Sequence, residues 1–438
     1  MKLPEYVKIL LEKLENAGYD AYAVGGCVRD SLLGLSPKDY DIASSALPEQ
    51  VKQTLSEYKI IDTGLKHGTV TVLADGNTVE ITTFRIDGEY IDGRRPESVS
   101  FASGIEDDLA RRDLTINAFA FSDKTGLIDN FGGRSDLDKR IIKAVGEPEK
   151  RFDEDALRIL RALRFAAVYD FSVEENTAAA IHIKKSLLRN ISGERIASEL
   201  NKLICGKCDI ILRDFFDVFA IIIPQINDCK GFLQHSKYHD RDVLEHIIAS
   251  VAAVEPVTHL RLSMLFHDLG KPTCFSLENG TGHFKGHSHV SADIADDVMT
   301  RLHYDCDTKR KVVFLVKHHD MPLQNDRRLI KRWLNKYGKE PFFDLIKVHI
   351  ADDSAKAKAY QERIQIYHDI IKTANEIIAN EECITLKKLA VNGTHLLEMG
   401  ISGKKIGETL IFLLNAVIDE KCINEYSELK KYLEDNKI

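Results

Sequence analysis

The sequence Val-Gly-Gly-Cys-Val-Arg-Asp at residues 24–30 is followed, after a short gap, by Pro-Lys-Asp-Tyr-Asp-Ile at residues 37–42. One residue separates the two aspartates of the second motif, Asp39 and Asp41. In a β-strand, side chains two residues apart point to the same face, so both carboxylates can bind hard cations such as Mg²⁺. Because such cations also bind triphosphates, the pair predicts a nucleotidyl-transfer site.

The first motif supplies groups that suit a phosphate. Gly25 and Gly26 let backbone N–H groups approach a ligand closely, and Arg29 adds a positively charged guanidinium of fixed geometry. Each motif alone has an ordinary explanation, since Asp-x-Asp is common in solvated loops and Gly-Gly in turns. Their order and spacing together favour the catalytic interpretation.

A third carboxylate, Glu80, lies in a segment whose alternation and β-branched residues are typical of a strand. The preceding residues 68–73 also alternate, and a turn sequence follows at residues 75–77. We therefore expect a β-hairpin that brings Glu80 beside the aspartate pair through sheet pairing. The alternative is that Glu80 is a solvent-facing strand residue without a catalytic role.

The 438 residues are too many for a single core and predict two to four domains. Hydrophobic residues make up 44% and charged residues 29% of the chain, as is usual for globular proteins. No apolar run reaches the ~18 residues of a membrane helix, so no membrane partner is expected. The amino-terminal residues lack the features of a secretory signal, and we expect a cytoplasmic protein. Oligomeric state is left open.

Cysteine usage and charge exclude some classes of protein. The eight cysteines are scattered and expected to be reduced, and the Cys-x-x-Cys at residues 205–208 has no second pair at zinc-ribbon distance. A net charge of −8 argues against indiscriminate binding of polyanions, so nucleic acid would need local basic surface. Segments 139–143, 184–189 and 327–332 are basic, and each is equally compatible with a solvated helix face.

Strand signals are concentrated at the amino-terminal end of the chain, and helical periodicity dominates afterwards. The sequence therefore predicts an α+β protein in which a mixed-sheet head is followed by all-α regions. We predict a head at residues 1–145, a helical neck at 146–225, a histidine-rich helical domain at 226–372 and a helical tail at 373–438.

A further motif, Glu-Asp-Asp-Leu-Ala-Arg-Arg-Asp-Leu-Thr-Ile-Asn-Ala at residues 106–118, completes an ordered set. With it the chain resembles bacterial tRNA nucleotidyltransferases. More closely, it is similar to class II CCA-adding enzymes, which are related to bacterial poly(A) polymerases within the polymerase-β-like nucleotidyltransferase superfamily. The resemblance covers roughly the head and neck, and the helical remainder matches more loosely.

Members of this family add C, C and A to the 3′ end of tRNA without a nucleic-acid template, using CTP and ATP. The resemblance implies the same reaction here, with tRNA, CTP and ATP as partners. It also implies that Asp39 and Asp41, completed by Glu80, form a catalytic centre with two Mg²⁺ ions. Gly26 and Arg29 would hold phosphate.

The resemblance also assigns roles within residues 106–118. Arg112 would contact the nucleotide, and Asn117 would order the site. Arg111 has an alternative role as a surface charge. For Asp113 we favour a structural cap or a partner of an arginine over a metal ligand.

Residues 152–164 match the base-recognition element of the family, in which Asp155 and Arg158 would choose the base. We expect Asp155 and Arg158 to be neighbours, three residues apart on one helix. The Asp155 carboxylate accepts hydrogen bonds and the Arg158 guanidinium donates them, so together they can pair with the edge of C or A. The family pattern implies nucleotide contacts by Arg161 and Arg164 as well. Because three-residue steps slip around a helix, Arg161 is the better candidate.

The polar, glycine-rich residues 87–96 predict a mobile loop. In the family an intact loop accompanies addition of the terminal A, so the resemblance favours full CCA addition. A poly(A) polymerase or a partial, CC- or A-adding enzyme would use the same chemistry, and the motifs barely separate these alternatives.

Histidines and acids in the second half of the chain resemble the metal site of an HD-domain phosphohydrolase. We expect His267 and Asp268 at the carboxyl-terminal end of a helix, with His246 on the preceding helix. Either Asp352 or Asp353 would be the last ligand. Imidazole and carboxylate suit a divalent metal, of identity left open, that activates water for phosphoester hydrolysis. The constellation that carries this resemblance also includes His283, His287, His289 and the run His318-His319-Asp320.

Residues 386–438 resemble the tail that holds the tRNA elbow in the family, through contacts blind to sequence. The alternative from another class is an RNA-binding HD metal phosphohydrolase without transferase activity. The presence of both a metal-binding aspartate pair and a base-reading pair argues against it.

Overall fold

The computed structural model describes residues 1–65, 68–87, 99–102, 104–236, 240–358 and 362–436. The chain forms two compact units. The first contains residues 1–227 with 301–304, and the second contains residues 228–300 with 305–438. The division after residue 227 lies close to the limit predicted at residue 225.

A seven-stranded mixed sheet forms the head of the first unit. The strands of this unit are β1 (Ala21–Val24), β2 (Tyr40–Ser44), β3 (Lys59–Gly64), β4 (Thr69–Ala74), β5 (Asn77–Thr83), β6 (Arg85–Asp87), β7 (Val99–Phe101), β8 (Ala120–Ser122), β9 (Gly126–Ile128), β10 (Ile141–Ile142) and β11 (Ser172–Val173). The strand order in the sheet is β3-β4-β5-β2-β1-β8-β9, with β2 and β5 parallel and the other neighbours antiparallel. The predicted mixed sheet is confirmed.

The hairpin predicted over residues 68–85 is confirmed. β4 and β5 pair antiparallel across a tight turn at Gly76, which has a positive φ. Along β5, Val79 and Ile81 are buried whereas Glu80 is exposed, because consecutive side chains of a strand point to opposite faces. Glu80 therefore lies on the face of the sheet that is open to solvent.

Helices surround the sheet and build the neck. They are α1 (Glu5–Asn16), α2 (Gly26–Leu32), α3 (Pro48–Thr54), α4 (Ile105–Ala110), α5 (Gly133–Lys139), α6 (Pro148–Glu154), α7 (Leu157–Tyr169), α8 (Glu175–Lys184), α9 (Gly193–Ile204), α10 (Asp209–Asp214) and α11 (Phe216–Ile222). The buried residues of α1, Val7, Leu10 and Leu14, recur at helical spacing, as expected of an amphipathic helix.

The second unit is almost entirely helical. Its elements are α12 (Val243–Ala253), α13 (Thr258–Phe266), β12 (Ser276–Glu278), β13 (Thr281–His283), α14 (His287–Arg301), α15 (Cys306–His318), α16 (Arg327–Tyr337), α17 (Lys339–Ser354), α18 (Arg363–Ala379), α19 (Gly393–Glu398), α20 (Lys404–Ile418) and α21 (Tyr426–Asp435). Among the described residues, no helix is both long enough and apolar enough to span a membrane.

The α+β class with a helical remainder is confirmed, with two short exceptions. β11 of the neck pairs in parallel with β10 of the head, and β12 and β13 form a small hairpin. Helix α18 runs across the domain limit predicted at residues 372 and 373, so a division there would cut a helix. The four-domain division itself stays a prediction.

The carboxyl-terminal helices α19, α20 and α21 have their own apolar cluster, which includes Leu396, Leu413 and Leu429. A second cluster, centred on Ile330, Phe342 and Tyr367, joins α16, α17 and α18.

The basic run at the start of α16 is largely neutralised within the second unit. The buried amine of Lys331 lies 2.9 Å from Glu382 and 3.2 Å from Glu420, and the guanidinium of Arg332 lies 2.5 Å from Asp419. The sequence left open whether residues 327–332 form a nucleic-acid-binding surface or an ordinary solvated helix face. The ion pairs of Lys331 and Arg332 match neither interpretation fully, and they reduce the positive charge available to nucleic acid.

Candidate functional site

The predicted catalytic carboxylates lie at one end of β2. Asp41 pairs directly with Glu80 in the parallel ladder between β2 and β5, and residues paired in this way project to the same face. Asp39 lies one residue before β2, so the prediction that both aspartates belong to a strand is correct only for Asp41. All three carboxylates are exposed. The sheet thus brings Glu80 beside the aspartates.

The electrostatics of Asp41 suit a cation. Desolvation by the surrounding protein and the negative charges of Glu80 and Asp39 raise the pKa of Asp41 above its ordinary value, while Arg112 acts in the opposite direction. The oxygens of the three carboxylates do not all lie within 4.8 Å of one another, as judged over the described residues. Mutual repulsion favours such separation, and an all-oxygen ligand set fits Mg²⁺.

The Gly25-Gly26 turn follows β1 and begins α2. Gly25 has a φ of +71°, and its N–H donates to the carbonyl of Phe119 at 3.1 Å. A Cβ atom on Gly25 would lie 2.7 Å from Nη1 of Arg112. Glycine at this position therefore allows both the left-handed backbone and the close approach of the Arg112 guanidinium.

Arg29 is buried rather than open to a ligand. Its Nη1 donates to Oδ1 of Asn117 at 2.5 Å and its Nε donates to Oδ1 of Asp30 at 2.9 Å. The rings of Phe165 and Tyr169 lie 5.0 Å from the guanidinium carbon. These contacts make Arg29 a link between α2 of the head and α7 of the neck.

A buried carboxylate missed by the sequence analysis holds the two neighbouring arginines. Asp108, which is 1% exposed, accepts hydrogen bonds from Nη2 of Arg111 at 2.5 Å and from Nη2 of Arg112 at 3.0 Å. Burial acts to raise the pKa of Asp108, but the charges of both arginines outweigh burial and lower it. The sequence signal that could have revealed these contacts is the spacing of three and four residues from Asp108 to Arg111 and Arg112, which suits neighbours on a helical turn.

The prediction that Asp113 pairs with an arginine is confirmed. Oδ2 of Asp113 accepts a hydrogen bond from Nε of Arg161 at 2.7 Å, and Oδ1 accepts one from Nδ2 of Asn117 at 3.1 Å. Asn117 therefore connects Asp113 to Arg29. This chain of contacts orders the residues around the end of α7.

The helical assignment of Asp155 is wrong. Asp155 lies between α6 and α7 with φ −145° and ψ 106°, and its Oδ1 accepts from the N–H of Leu157 at 3.0 Å. Such a side-chain bond to nearby backbone competes with the helix and breaks it here. Oδ2 of Asp155 accepts from Nη2 of Arg195, on α9, at 2.7 Å. Arg195 had no sequence signal linking it to Asp155.

The backbone N–H of Arg158 donates to the carbonyl of Asp155 at 3.0 Å, but the Arg158 guanidinium has other partners than the Asp155 carboxylate. Its Nη1 donates to Oε2 of Glu154 at 2.6 Å, and its Nη2 donates to the carbonyl oxygen of Arg111 at 2.9 Å. The predicted partners are therefore each held by another residue. The bond to Arg111 places the start of α7 against the Arg111-Arg112 segment of the head.

The two remaining arginines of α7 differ in surroundings. The Arg161 side chain is 33% exposed, whereas that of Arg164 is 12% exposed and lies 2.9 Å from Oε2 of the buried Glu199. The guanidinium of Arg164 also lies 4.1 Å from the centre of the Phe165 ring. Arg161 is the more exposed of the two, and nucleotide contact by either arginine stays a prediction. Except for Asp87, the loop predicted at residues 87–96 lies outside the residues described with secondary structure.

The second unit gathers four predicted ligands into what is here called site 1: His246, His267, Asp268 and Asp352. His246 comes from α12, His267 and Asp268 directly follow α13, and Asp352 lies near the end of α17. Nε2 of His246 lies 2.9 Å from Oδ1 of Asp352, 3.3 Å from Oδ2 of Asp268 and 3.3 Å from Nε2 of His267. All four side chains are buried.

The structure distinguishes the two aspartates that the sequence left open. Asp352 contributes to site 1, whereas Asp353 accepts hydrogen bonds from Lys356 at 2.6 Å and from the hydroxyl of Tyr367 at 2.9 Å. Successive residues of a helix point about 100° apart, so only one of the two can face the site.

The histidines of the second unit are not equivalent. His287 and His319 lie beside Asp268 and form a second group with it. His289 is exposed, and His318 donates to the carbonyl of Phe314. A cavity of about 450 Å³ opens onto both groups. It is lined, among others, by Asp268, His287, His319, Asp352, Lys271, Lys285, Lys356 and Arg363.

Three segments of the chain match known families. Residues 21–143 match the Poly A polymerase head domain, and residues 170–228 match the probable RNA and SrmB-binding site of polymerase A. Residues 287–433 match a family described as tRNA nucleotidyltransferase domain 2, putative.

Curated relatives agree with these matches. The CCA-adding enzyme of Ligilactobacillus salivarius is 55% identical over 198 residues, which cover 45% of this chain and 48% of that enzyme. Several such alignments span only about half the length of the relatives. The CCA-adding enzyme of Lactobacillus helveticus is 33% identical over 447 residues, covering 99% of this chain and 98% of that enzyme. The chain belongs to the CCA-adding enzyme family.

Solved structures of this family share the fold. The CCA-adding enzyme of Bacillus stearothermophilus, in complex with CTP, has a TM-score of 0.72 and 29% identity, covering 100% of this chain and 98% of that one. The Thermotoga maritima CCA-adding enzyme complexed with tRNA has a TM-score of 0.60 and 21% identity, and the alignment covers 99% of this chain and 96% of that one. The comparisons therefore confirm the resemblance to CCA-adding enzymes that the motifs indicated.

Proposed function

We propose that this protein adds C, C and A to the 3′ end of tRNA from CTP and ATP, with release of pyrophosphate. The observation that carries the proposal is the direct pairing of Asp41 with Glu80 on the exposed face of the sheet, with Asp39 two residues before Asp41. Three carboxylates placed there by a strand and its parallel neighbour can hold two divalent cations. Family membership and the 29% identity to an enzyme solved with CTP support the substrates.

In the proposed reaction Asp39, Asp41 and Glu80 hold Mg²⁺. Bound Mg²⁺ would activate the attacking 3′-hydroxyl and neutralise charge on the triphosphate. The protein's own contribution is to fix Asp41 and Glu80 on adjacent strands, with Asp39 directly before β2, so that little reorganisation accompanies the reaction. Gly26 would face the phosphates, and the buried Arg29 would act by holding α2 against α7.

Base choice is proposed for the region where the neck meets the head. Arg112 borders Gly25, and Arg158 donates to the carbonyl of the adjacent Arg111. Asp155 and Arg158 would pair with the edge of C or A after exchanging their present partners for the base. Arg161 and Arg164 would contribute positive charge to the same pocket.

Full CCA addition is the proposed outcome. A poly(A) polymerase or a partial enzyme remains the alternative product assignment, and the loop that bears on this choice lies outside the residues with described secondary structure. The tail at residues 386–438 would contact the tRNA backbone. A substrate of this kind would place the protein in the cytoplasm.

The proposal is tested with Asp39→Asn, Asp41→Asn and Glu80→Gln, using pyrophosphate release from CTP with a tRNA that lacks CCA. The matched control is Asp138→Asn, because Asp138 is an exposed carboxylate on α5, an element that carries none of the three proposed ligands. We expect each of the three carboxylate variants to lose about 3 kcal/mol of transition-state stabilisation, which lowers kcat by about 100-fold. Unchanged release in the two aspartate variants would overturn the proposed catalytic centre.

A second activity, metal-dependent hydrolysis of phosphoesters, is favoured by site 1. His246, His267, Asp268 and Asp352 provide mixed imidazole and carboxylate ligands, which suit a divalent transition metal. Lys356 and Arg363 line the adjoining cavity and could hold an anionic substrate. The test is hydrolysis of p-nitrophenyl phosphate and of bis-p-nitrophenyl phosphate by the full chain supplied with Mn²⁺. His267→Ala with Asp268→Ala should abolish it, and equal rates in that variant would refute the assignment.

A further inference from the structure

We propose that the second unit binds a nucleoside phosphate in a cavity between α15, α16 and α17, with the base packed on Phe314 and Tyr337 and the phosphate held by Lys336. The cavity is called the aromatic pocket. Phe314 comes from α15, Lys336 and Tyr337 from the end of α16, and Pro341 from the first turn of α17. None of the described residues that line it is assigned to the transferase or to site 1. The inference therefore goes beyond both proposed activities.

The aromatic pocket has the size and the walls of a small-molecule site. Its volume is about 480 Å³, and binding sites for small molecules occupy about 300–1,000 Å³. The rings of Phe314 and Tyr337 both line it, with centroids 5.0 Å apart and planes inclined by 51°. Both side chains are half-buried, so part of each ring is open to a ligand. Rings of this kind provide a surface on which a planar base stacks.

Neighbouring rings fix this aromatic wall in place. The ring of Tyr337 lies 5.0 Å from that of Trp333 and 5.6 Å from that of His318. The ring of His318 lies 4.6 Å from that of Phe314, and its Nδ1 donates to the carbonyl of Phe314 at 2.8 Å. Four rings from two helices are thus ordered before a ligand arrives, and preorganised rings lose little conformational entropy on binding.

Lys336 supplies a positive charge beside the aromatic wall. Its Nζ lies 4.8 Å from the centre of the Tyr337 ring, and among the described residues no carboxylate lies within 4.0 Å of it. The hydroxyl of Tyr337 likewise has no hydrogen-bond partner in the described part of the chain. A free ammonium and a free hydroxyl beside an aromatic wall match the phosphate and the ribose of a nucleotide.

The other cations that line the pocket are already compensated. The guanidinium of Arg310 lies 2.6 Å from Asp307, and Nζ of Lys311 lies 3.1 Å from Glu340. Each of these ion pairs contributes little net charge to the pocket. The ammonium of Lys336 is therefore the group that favours an anionic ligand.

The competing explanation is an ordinary cleft between helices, in which the carboxylates of Glu340 and Asp344 would repel an anion. Oδ2 of Asp344 lies 2.8 Å from Nε2 of His259, and Oδ1 lies 3.5 Å from Nζ of Lys347, so this carboxylate is compensated by residues outside the pocket. Glu340 is compensated by Lys311. A simple anion would not use the aromatic wall, and an uncharged ring would not use Lys336, whereas a nucleoside phosphate uses both.

The chain carries its own reporter for this pocket. Trp333 is the single tryptophan of the sequence, and its ring lies 5.0 Å from that of Tyr337. The experiment titrates the full chain with AMP, without added metal, and follows tryptophan fluorescence. We expect a saturable change with a Kd of about 1 mM or lower. Adenosine lacks the phosphate and ribose 5-phosphate lacks the base, so each should bind at least about 10-fold more weakly than AMP.

Two variants assign the signal to the aromatic pocket. Lys336→Gln and Tyr337→Leu should each raise the Kd for AMP by about 10-fold or more. Lys317→Gln, at an exposed lysine of α15 that does not line the pocket, should leave it unchanged. Because Lys336 is exposed, Lys336→Gln keeps the packing intact and remains informative if Tyr337→Leu does not fold.

Three results would overturn the proposal. The first is the absence of a saturable change with AMP, and the second is an unchanged Kd in Lys336→Gln or equal affinities for adenosine and AMP, since either removes the phosphate contact. The third is saturation by a short oligoadenylate but not by AMP, which would assign the pocket to an RNA strand instead.

Discussion

Asp155 lies in the connection between α6 and α7, and its Oδ2 accepts a hydrogen bond from Nη2 of Arg195 at 2.7 Å. This contact fixes the carboxylate that the family resemblance assigns to base choice. Arg195 belongs to α9, so the position of the Asp155 carboxylate depends on a helix that the proposed base-recognition element does not include. Asp155 can change partner without moving a helix, because it lies in a non-helical connection.

The first prediction follows from that contact. Arg195→Ala should free Asp155 and weaken discrimination among nucleotides, because a mispositioned acceptor no longer selects for the edge of C or A. An edge contact is worth about 1–3 kcal/mol, so the ratio of kcat/KM for CTP to that for UTP should fall by roughly 5- to 150-fold. Arg189→Ala, at an exposed arginine nearby in sequence, should leave the ratio unchanged. An unaltered ratio in Arg195→Ala would separate Arg195 from base choice.

The second prediction concerns Gly25. Gly25→Ala adds a Cβ that would lie 2.7 Å from Nη1 of Arg112 at a φ of +71°, whereas Gly76→Ala adds one at a φ of +75° with no atom within 4 Å. Both variants carry similar backbone strain of about 1–2 kcal/mol. Only Gly25→Ala displaces Arg112, so its kcat/KM for CTP should fall by about 10-fold or more. Steady-state kinetics on both variants check this, and equal losses would argue against a role for the Gly25–Arg112 contact.

The third prediction concerns acid stability. Burial alone would raise the pKa of Asp113, but the charge of Arg161 and the hydrogen bond from Asn117 outweigh burial and hold it well below the ordinary value. A carboxyl whose pKa is lower in the folded than in the unfolded state contributes stability above about pH 4 and loses it as the pH falls towards the folded-state pKa. The first unit should therefore become less stable below that pH.

Asp113→Asn removes this contribution. The variant should be destabilised by about 1–3 kcal/mol at pH 7, and the loss of stability between pH 6 and pH 3 should be smaller than in the unaltered protein. Urea unfolding at each pH, followed by tyrosine fluorescence, measures both effects. Asp123→Asn serves as control, because Asp123 is exposed and forms a surface ion pair of 3.3 Å with Lys8. If Asp113→Asn and the unaltered protein lose the same unfolding free energy between pH 6 and pH 3, the assignment is contradicted.

The fourth prediction separates Asp352 from Asp353. A metal ion that binds only the folded state at 100 times its Kd stabilises that state by about 2.7 kcal/mol. Mn²⁺ should therefore raise the unfolding midpoint of the unaltered protein, and Asp352→Asn should lose most of this increment. Asp353→Asn should retain it, although loss of the bonds to Lys356 and Tyr367 lowers the starting midpoint. A larger loss of the increment in Asp353→Asn would reverse the assignment.

The sequence predicted those parts of the fold that local patterns determine. The alternation of residues 78–83 and the turn at Gly76 were enough to predict the β4–β5 hairpin that carries Glu80. The order of apolar residues before His267 placed it at the end of α13. In each case the decisive interactions lie within one strand, one hairpin or one helix.

The sequence could not predict contacts between distant segments. Asp155 was assigned to a helix because the flanking residues favour one, and its side-chain bond to the N–H of Leu157 overrides that preference. Its partner Arg195 is 40 residues away, and Asp113 and Arg161 are 48 residues apart. Spacing along a chain gives no signal for such pairs, since tertiary packing alone brings them together.

The same limit applies to the histidines. The sequence analysis grouped His287 and His319 with the metal-ligand constellation, but no spacing rule distinguishes them from His289 or His318. What distinguishes them is the Asp268 carboxylate that each Nε2 faces. That contact is a property of packed helices.

The most direct test of the central claim is to incubate the purified protein with Mg²⁺ and tRNA transcripts that end before CCA, and to size the products to one nucleotide. With CTP alone the tRNA should grow by two nucleotides, and with CTP and ATP by three. Asp41→Asn should abolish growth, and Asp138→Asn should not. Long A tails from ATP alone would identify a poly(A) polymerase instead. No growth under any condition would contradict the proposed transferase and leave site 1 as the main candidate activity.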